Sequence, residues 1–460
     1  MTKFLYLPIE IAARELDARL LVALFAVKNG MEVIIGQKWL MQQNMAALPP
    51  GAFLFKTMSP RDFNNMLNAA EFDHGIFAID EEMPGLGEGC GNLRWVHEPA
   101  VDKCDAIFLP GIAHFEAMQN RFSSHKDKLH LTGNPRWDLL RSELRGVYAK
   151  DAEVLRERYK SFVLVNTNVG IMNSAKGSPG RLFRSLTKFG RIDLSLEDDR
   201  NWTEEAKKFQ TQSLESTISF VRKFSAAEPA RTIIVRPHPT EKLSTYREAF
   251  KGNPRVVVIF EGAAAPWILA ADVLVHTACT TANEAFALGV PAVCINTGRS
   301  IIYDYFVSNK ISLESEGVDA AVQAVCNILK DPAAARKART PKMKATFDRF
   351  FAASDGPFAA ERMVEIMANG KKGFSTASIA PRDRKLKTWR IRTRFQKMVF
   401  PDTPAQKLEN RIMEMAKQLN MKTKFKVEKF GQALYHIASQ DLLESELGIP
   451  RYRAFPGNLF

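Results

Sequence analysis

The chain reads as α/β, with two Rossmann-like β/α units. Three observations predict this. Short apolar runs of strand length recur from Phe4 to Asn296, helical segments separate them, and several runs end in polar loops. The runs do not alternate apolar with polar, the pattern of parallel strands covered on both faces. A chain of 460 residues also exceeds one ordinary core, so two to three domains are expected.

The first unit is expected over residues 1–150. FLYL from Phe4 and EVIIG from Glu32 are strands, and Glu10 to Asn29 between them is a helix ended by Gly30. Ser59 to Phe72 is a second helix, with Ser59 as N-cap and Pro60 at the first helical position. GIFAID, DAIFL and KLHLTG continue the strands, and Asn134 to Leu144 is a helix. A polar stretch near Tyr148 to Lys160 leads to the second unit, expected over 160–370. Its strands are FVLVNTN, TIIVR, RVVVIF, DVLVH and PAVCIN. Ser174 to Asn201, rich in Gly, Ser and charge, reads as a mobile loop before a helix over Trp202 to Ala227. After Asp331 only helices are expected, and Leu408, Ile412, Met415 and Leu419 mark one of them in a basic tail over 371–460. Two β/α units of this kind are expected to face a cleft that holds the ligand.

Composition narrows the class. Hydrophobic content of 46% and charged content of 25% are those of a soluble globular protein. No apolar run reaches the ~18 residues of a membrane span. The N-terminus turns acidic before a signal-peptide core could form. The five cysteines show no CxxC pairing, which argues against a disulfide framework or zinc site and for the cytoplasm. The net charge of +13 is concentrated late, from Arg382 to Lys397, with Trp389, Phe395, Met398, Val399 and Phe400 interleaved. No nucleic-acid motif accompanies these cations. Peripheral attraction to the anionic inner face of a membrane and a merely solvated basic segment remain two open readings.

Three loops carry the chemistry. In Arg236-Pro237-His238-Pro239 the prolines hold His238 extended at a strand end. Arg236 offers a guanidinium to a phosphate or carboxylate, and His238 can donate a proton to a departing phosphate. In His276-Thr277-Ala278-Cys279-Thr280-Thr281 small residues line a helix start suited to an anion. Thr280 is the expected phosphate ligand. Thr281 with Glu284 matches a capping box, and Glu284 alternatively accepts from ribose hydroxyls. With these groups sharing phosphate charge, no metal is required. Asp80-Glu81-Glu82 follows a strand of the first unit, and mutual repulsion among these acids is expected to raise one pKa and supply a base or nucleophile. Asn166-Thr167-Asn168 either orients hydroxyls of the ligands or forms an Asx turn. Glu10, Arg14 and Glu15 either face the acceptor or pair on their helix.

LTGNPRWDLL, FVLVNTNVG, RPHPTE, DVLVHTACTTANEAFALGVPAV and DGPFAAERMVEIM together resemble bacterial surface-carbohydrate enzymes of the GT-B glycosyltransferase type. The arrangement is similar to bacterial sialyltransferases, Kdo transferases and polyol-phosphate transferases. Those sialyltransferases carry an acidic, an HP and a hydroxyl-rich motif, matched in order here by Asp80-Glu81-Glu82, His238-Pro239 and Thr280-Thr281. The resemblance covers about residues 1 to 370. It implies a CMP-linked acidic sugar as donor, held by the second unit with Pro239 and His276 among the donor residues, and a glycan or lipid-linked glycan as acceptor. It implies no separate cofactor. In that family glycine directly follows the acids, whereas Met83 and Pro84 precede Gly85 here, so the catalytic acid stays open. A CDP-polyol phosphotransferase, a UDP-sugar 2-epimerase and a non-catalytic polysaccharide-assembly protein are the alternatives.

Overall fold

The computed structural model describes residues 4–81, 93, 96–175, 177, 180–188, 192–337, 339–370 and 399–440. The chain divides into two compact units. Unit 1 takes 1–83, 95–147 and 351–460, and unit 2 takes 84–94 and 148–350.

Unit 1 begins with six parallel strands: β1 Phe4–Ile9, β2 Glu32–Gln37, β3 Ala52–Phe55, β4 Gly75–Ile79, β5 Ala106–Leu109 and β6 Leu129–Leu131. All residues of β1 to β5 are buried, as the unalternating runs require. β3 was not among the expected strands, being four residues long and directly behind Pro49-Pro50-Gly51. Helix Ala12–Lys28 connects β1 to β2, and Ser59 caps helix Pro60–Glu71 by accepting the Asp62 N–H at 3.3 Å. The helix expected over Asn134 to Leu144 shortens to Pro135–Asp138, with the Asn134 side chain accepting the Arg136 N–H.

Unit 2 holds β7 Phe162–Asn166, β8 Thr232–Arg236, β9 Val256–Val258, β10 Val273–His276, β11 Ala292–Asn296 and β12 Leu313–Glu316. They form one parallel sheet in the order β12-β11-β10-β7-β8-β9. Helix Glu197–Ala227 starts earlier than expected. The stretch read as a mobile loop contains helix Gly180–Lys188, whose Phe183 and Leu186 are buried beside Ile192, Phe209 and Tyr303. Its charged composition hides three core contacts.

Beyond Asp331 helices Pro332–Lys337 and Pro341–Phe350 complete unit 2, and the chain returns to unit 1 with helices Ala359–Ala368 and Ala405–Gln418. Leu408, Ile412 and Met415 form the buried stripe of the last helix. Arg411 pairs with Asp17 at 2.8 Å. The expectation of helices alone is then corrected. β13 Phe425–Gly431 and β14 Leu434–Ser439 make a hairpin, and β14 joins β2 antiparallel, giving the order β13-β14-β2-β1-β3-β4-β5-β6. Gly36 permits this, because a Cβ there would sit 2.4 Å from the Ala433 carbonyl oxygen. β13 is half exposed and carries Lys426 and Lys429, the charge that guards an edge strand and that obscured it in the sequence. Thus 405–440 belongs with unit 1 rather than with a separate helical tail. The basic run from Arg382 to Lys397 lies outside the described residues.

Candidate functional site

Strand register brings the expected loops of unit 2 to one edge. β7 pairs with β8 on one side and β10 on the other, with Asn166 opposite Arg236 and Val165 opposite Val275. The ends of β8 and β10 therefore lie about 10 Å apart across β7. This is the C-terminal edge, where parallel α/β sheets bind ligands.

The loop after β8 is closed on itself. The half-buried His238 accepts at Nδ1 from the Thr240 N–H at 3.3 Å and lies 2.8 Å from Thr240 Oγ1. The backbone N–H of Glu241 donates to the His238 carbonyl at 2.9 Å. The Glu241 carboxylate is buried. It accepts from the Thr167 hydroxyl at 2.8 and 2.9 Å, the Val169 N–H at 2.9 Å and the Tyr246 hydroxyl at 2.6 Å. Burial raises its pKa, and these bonds oppose the rise. Thr240, Glu241 and Tyr246 were not singled out from the sequence. The available signal was a glutamate three residues after His238 in the stiff turn Arg236-Pro237-His238-Pro239-Thr240-Glu241.

The loop after β10 is shaped by His276, which corrects its expected contact with the donor. His276 is buried, and Nδ1 accepts the N–H of Ala278 at 3.1 Å and of Cys279 at 3.3 Å, while Nε2 lies 2.9 Å from Ser312 Oγ. Ser312 in turn donates to the Ser308 carbonyl, so Nε2 is the donor to Ser312 and the ring is neutral. These bonds hold Ala278 at φ +100°, a left-handed conformation that alanine adopts only under constraint, with its carbonyl accepting from Asn168 Nδ2 at 3.2 Å.

Burial lowers the His276 pKa from 6.5 to about 3. Below about 6.5 the unfolded chain binds a proton that the folded chain refuses, so stability falls as pH drops from about 6.5 toward about 3. The slope is at most about 1.4 kcal/mol per pH unit. Denaturant midpoints measured from pH 7.5 to 4 are expected to fall more steeply for the wild type than for His276→Gln; equal slopes would remove His276 as the cause.

Helix Thr281–Leu288 follows, ended by Gly289 at φ +81°. Thr281, expected as the capping residue, is the first residue of the helix rather than its N-cap. Thr281 Oγ1 instead accepts from Asn166 Nδ2 at 2.8 Å and lies 3.1 Å from the Cys279 thiol, whose pKa burial pushes up to about 11. Thr280 stands at the N-cap position in αR geometry without a side-chain cap bond. Ala282 and Asn283 donate their N–H groups to the carbonyls of Cys279 and Thr280, and the Thr281 N–H faces the Cys279 sulfur, so Thr280 carries the N–H of the helix start that an anion would meet.

Arg236 departs from expectation. It is buried, donates from Nη2 to the carbonyls of Glu261 at 3.3 Å and Gly262 at 2.5 Å, and stacks 5.0 Å from the Phe260 ring. Burial pushes its pKa down to about 10, partly offset by the charge of Glu284. Its Nη2 pins the loop after β9, while its Nε is buried without a hydrogen-bond partner. Asn166 and Thr167 are likewise buried ties, from β7 to Thr281 and to Glu241. Half-exposed at this edge remain His238, Pro239, Asn168, Thr280, Thr281 and Glu284. An imidazole, hydroxyls and a helix start can together receive a developing phosphate charge.

In unit 1 the acidic residues sit in an ion-pair network. Asp80 and Glu81 directly follow β4 and are both buried; Glu82 lies outside the described residues. Glu81 lies 2.9 Å from Arg19 and 3.9 Å from Arg136, so cations rather than fellow acids surround it. Glu15 accepts the Glu10 N–H at 2.8 Å and pairs with Arg14 at 2.9 Å, and Glu10 pairs with Lys56 at 2.7 Å. Burial alone would raise both glutamates, but Lys56 and its neighbours hold them lowered. Glu10, Arg14 and Glu15 thus take the paired reading, though not as a Glu10–Arg14 helix pair. Among the described residues no cluster is placed to hold a metal ion, and no helix is long and apolar enough to cross a membrane.

No family model and no curated protein matches the chain in sequence. Solved structures do resemble it. A UDP-GlcNAc 2-epimerase of Methanocaldococcus jannaschii, in complex with UDP-GlcNAc and UDP, superposes with TM-score 0.51 at 11% identity, covering 80% of this chain and 100% of that one. The wall teichoic acid polymerase TagF gives TM-score 0.49 at 10% identity, covering 80% and 88%. The first likeness shows the fold alone. With the two sheets, parallel apart from the β13–β14 hairpin, it makes the chain an α/β protein of GT-B-like fold with two Rossmann-like units.

Proposed function

We propose that the chain is a metal-independent glycosyltransferase that uses a nucleotide-linked sugar, with the donor phosphate received at the edge of unit 2. The supporting observation is the joining of three strand-end loops by Glu241, Asn166 and Asn168, which leaves His238 and the helix start at Thr280 half exposed on one edge. In this reading His238 donates to the leaving phosphate, and Thr280 takes up its charge through its hydroxyl and N–H. The acceptor is a surface glycan or lipid-linked glycan, met at the inner face of the membrane through the basic stretch from Arg382 to Lys397. The sequence resemblance favours a CMP-linked acidic sugar. One of Asp80, Glu81 and Glu82 activates the acceptor, and of these Glu81 is held by Arg19 at 2.9 Å.

A thermal-shift screen of CMP-, CDP- and UDP-linked donors tests the reading. One donor class is expected to raise Tm, by about 2.7 kcal/mol of added stability at a hundred times its Kd. No shift with any nucleotide donor would sink the proposal. Turnover of a nucleotide sugar without acceptor would replace transfer by epimerisation.

A further inference from the structure

We propose that Thr240 is a positioning residue for His238, holding the ring so that its neutral form carries the proton on Nε2 and its charged form remains satisfied at Nδ1. The inference rests on the proposed role of His238 and adds a residue to it.

The argument starts from Nδ1. Thr240 N–H points at Nδ1 from 3.3 Å, so in the neutral ring Nδ1 is the acceptor and Nε2 bears the hydrogen. A backbone N–H cannot reverse its role, and alone it would oppose protonation of the ring. The Thr240 hydroxyl, 2.8 Å from Nδ1, can donate to the neutral ring and accept from the charged one. The charged ring donates its Nδ1–H to the Thr240 hydroxyl while the Nε2 proton passes to the leaving phosphate, which leaves the neutral ring with its hydrogen on Nδ1, still held by Oγ1; proton exchange with water then restores the resting tautomer, with hydrogen on Nε2 and Nδ1 accepting.

The placement of this hydroxyl is fixed from several sides. A Cβ on Gly170 would lie 2.4 Å from Thr240 Oγ1, so the loop after β7 leaves room for the hydroxyl only because residue 170 is glycine. The Thr240 carbonyl accepts the Ala175 N–H at 2.7 Å. Glu241, the next residue, anchors the turn through Thr167, Val169 and Tyr246. The turn thus holds the His238 ring by a hydroxyl with little freedom to move.

The test compares Thr240→Val, Thr240→Ser and Gly170→Ala in the full chain, with the donor found by the screen above. Thr240→Val is expected to lower kcat about tenfold, with KM for the donor little changed, and to move the pH profile of kcat to lower pH. Thr240→Ser is expected to restore both, whereas Gly170→Ala, which crowds the hydroxyl without removing it, reproduces the loss. In His238→Ala the Thr240→Val change is expected to add nothing. An unchanged kcat and pH profile in Thr240→Val, or full additivity with His238→Ala, would overturn the inference. If His238→Ala itself retains full turnover, the proposed function fails first. An activity-independent measurement covers variants that fold poorly: nitrogen-15 spectra of the eight histidines in the wild type. They should show His238 protonated at Nε2, and a ring protonated at Nδ1 overturns the inference.

Discussion

Replacing His238 with alanine is expected to lower kcat for sugar transfer by about 100- to 10,000-fold, the range of a positioned proton donor. The fold should barely register the change. The ring is half exposed and hydrogen-bonds Thr240, two residues away in the same turn. Removing them costs about 1 kcal/mol or less. Donor affinity should fall modestly, since the helix start at Thr280 remains to meet the phosphate. The combination of lost turnover, retained melting temperature and retained donor binding is specific to a group acting in the transition state. Turnover within threefold of the wild type would remove His238 from the chemistry.

The contrast with His276 shows what the sequence could convey. His276 ends the buried strand β10, His238 follows the end of β8 by two residues, and both lie in polar loops at one edge of unit 2. Flanking prolines announced a stiff, extended His238. No residue near His276 announced that Ser312, thirty-six positions on, would take its Nε2 and that backbone groups would take Nδ1. The carbonyl partners of Arg236 at Glu261 and Gly262 were hidden for the same reason, since they belong to a loop that sequence pattern leaves unplaced. Strands were legible where a run was apolar throughout, as in β4 or β10. They were hidden where one face stayed wet, as in β12 and β13. Glu241 was in view from the start, but a carboxylate that accepts three separate donors is recognisable only once β7 and β8 are paired.

Replacing Arg19 with methionine is expected to destabilise unit 1 by about 3–5 kcal/mol. Arg19 is fully buried on helix Ala12–Lys28 and faces Glu81 at 2.9 Å, while Arg136, the other cation near Glu81 among the described residues, stands back at 3.9 Å. Removing Arg19 leaves a buried carboxylate with one distant partner, and that uncompensated charge carries most of the cost. The double replacement Arg19→Met with Glu81→Met should recover most of the loss, because two apolar groups of similar volume need no counter-charge. Denaturant midpoints of the two singles and the double give the coupling directly. Additive losses would mean that packing, not charge, holds this pair. The outcome also governs how Glu81 is tested as a base. If the ion pair carries the stability, Glu81→Gln unsettles Arg19 as well as removing a carboxylate, and lost turnover in that variant reports on unit 1 rather than on proton transfer. Asp80→Asn and Glu82→Gln, each read alongside its own melting temperature, then ask the same question of the other two acids.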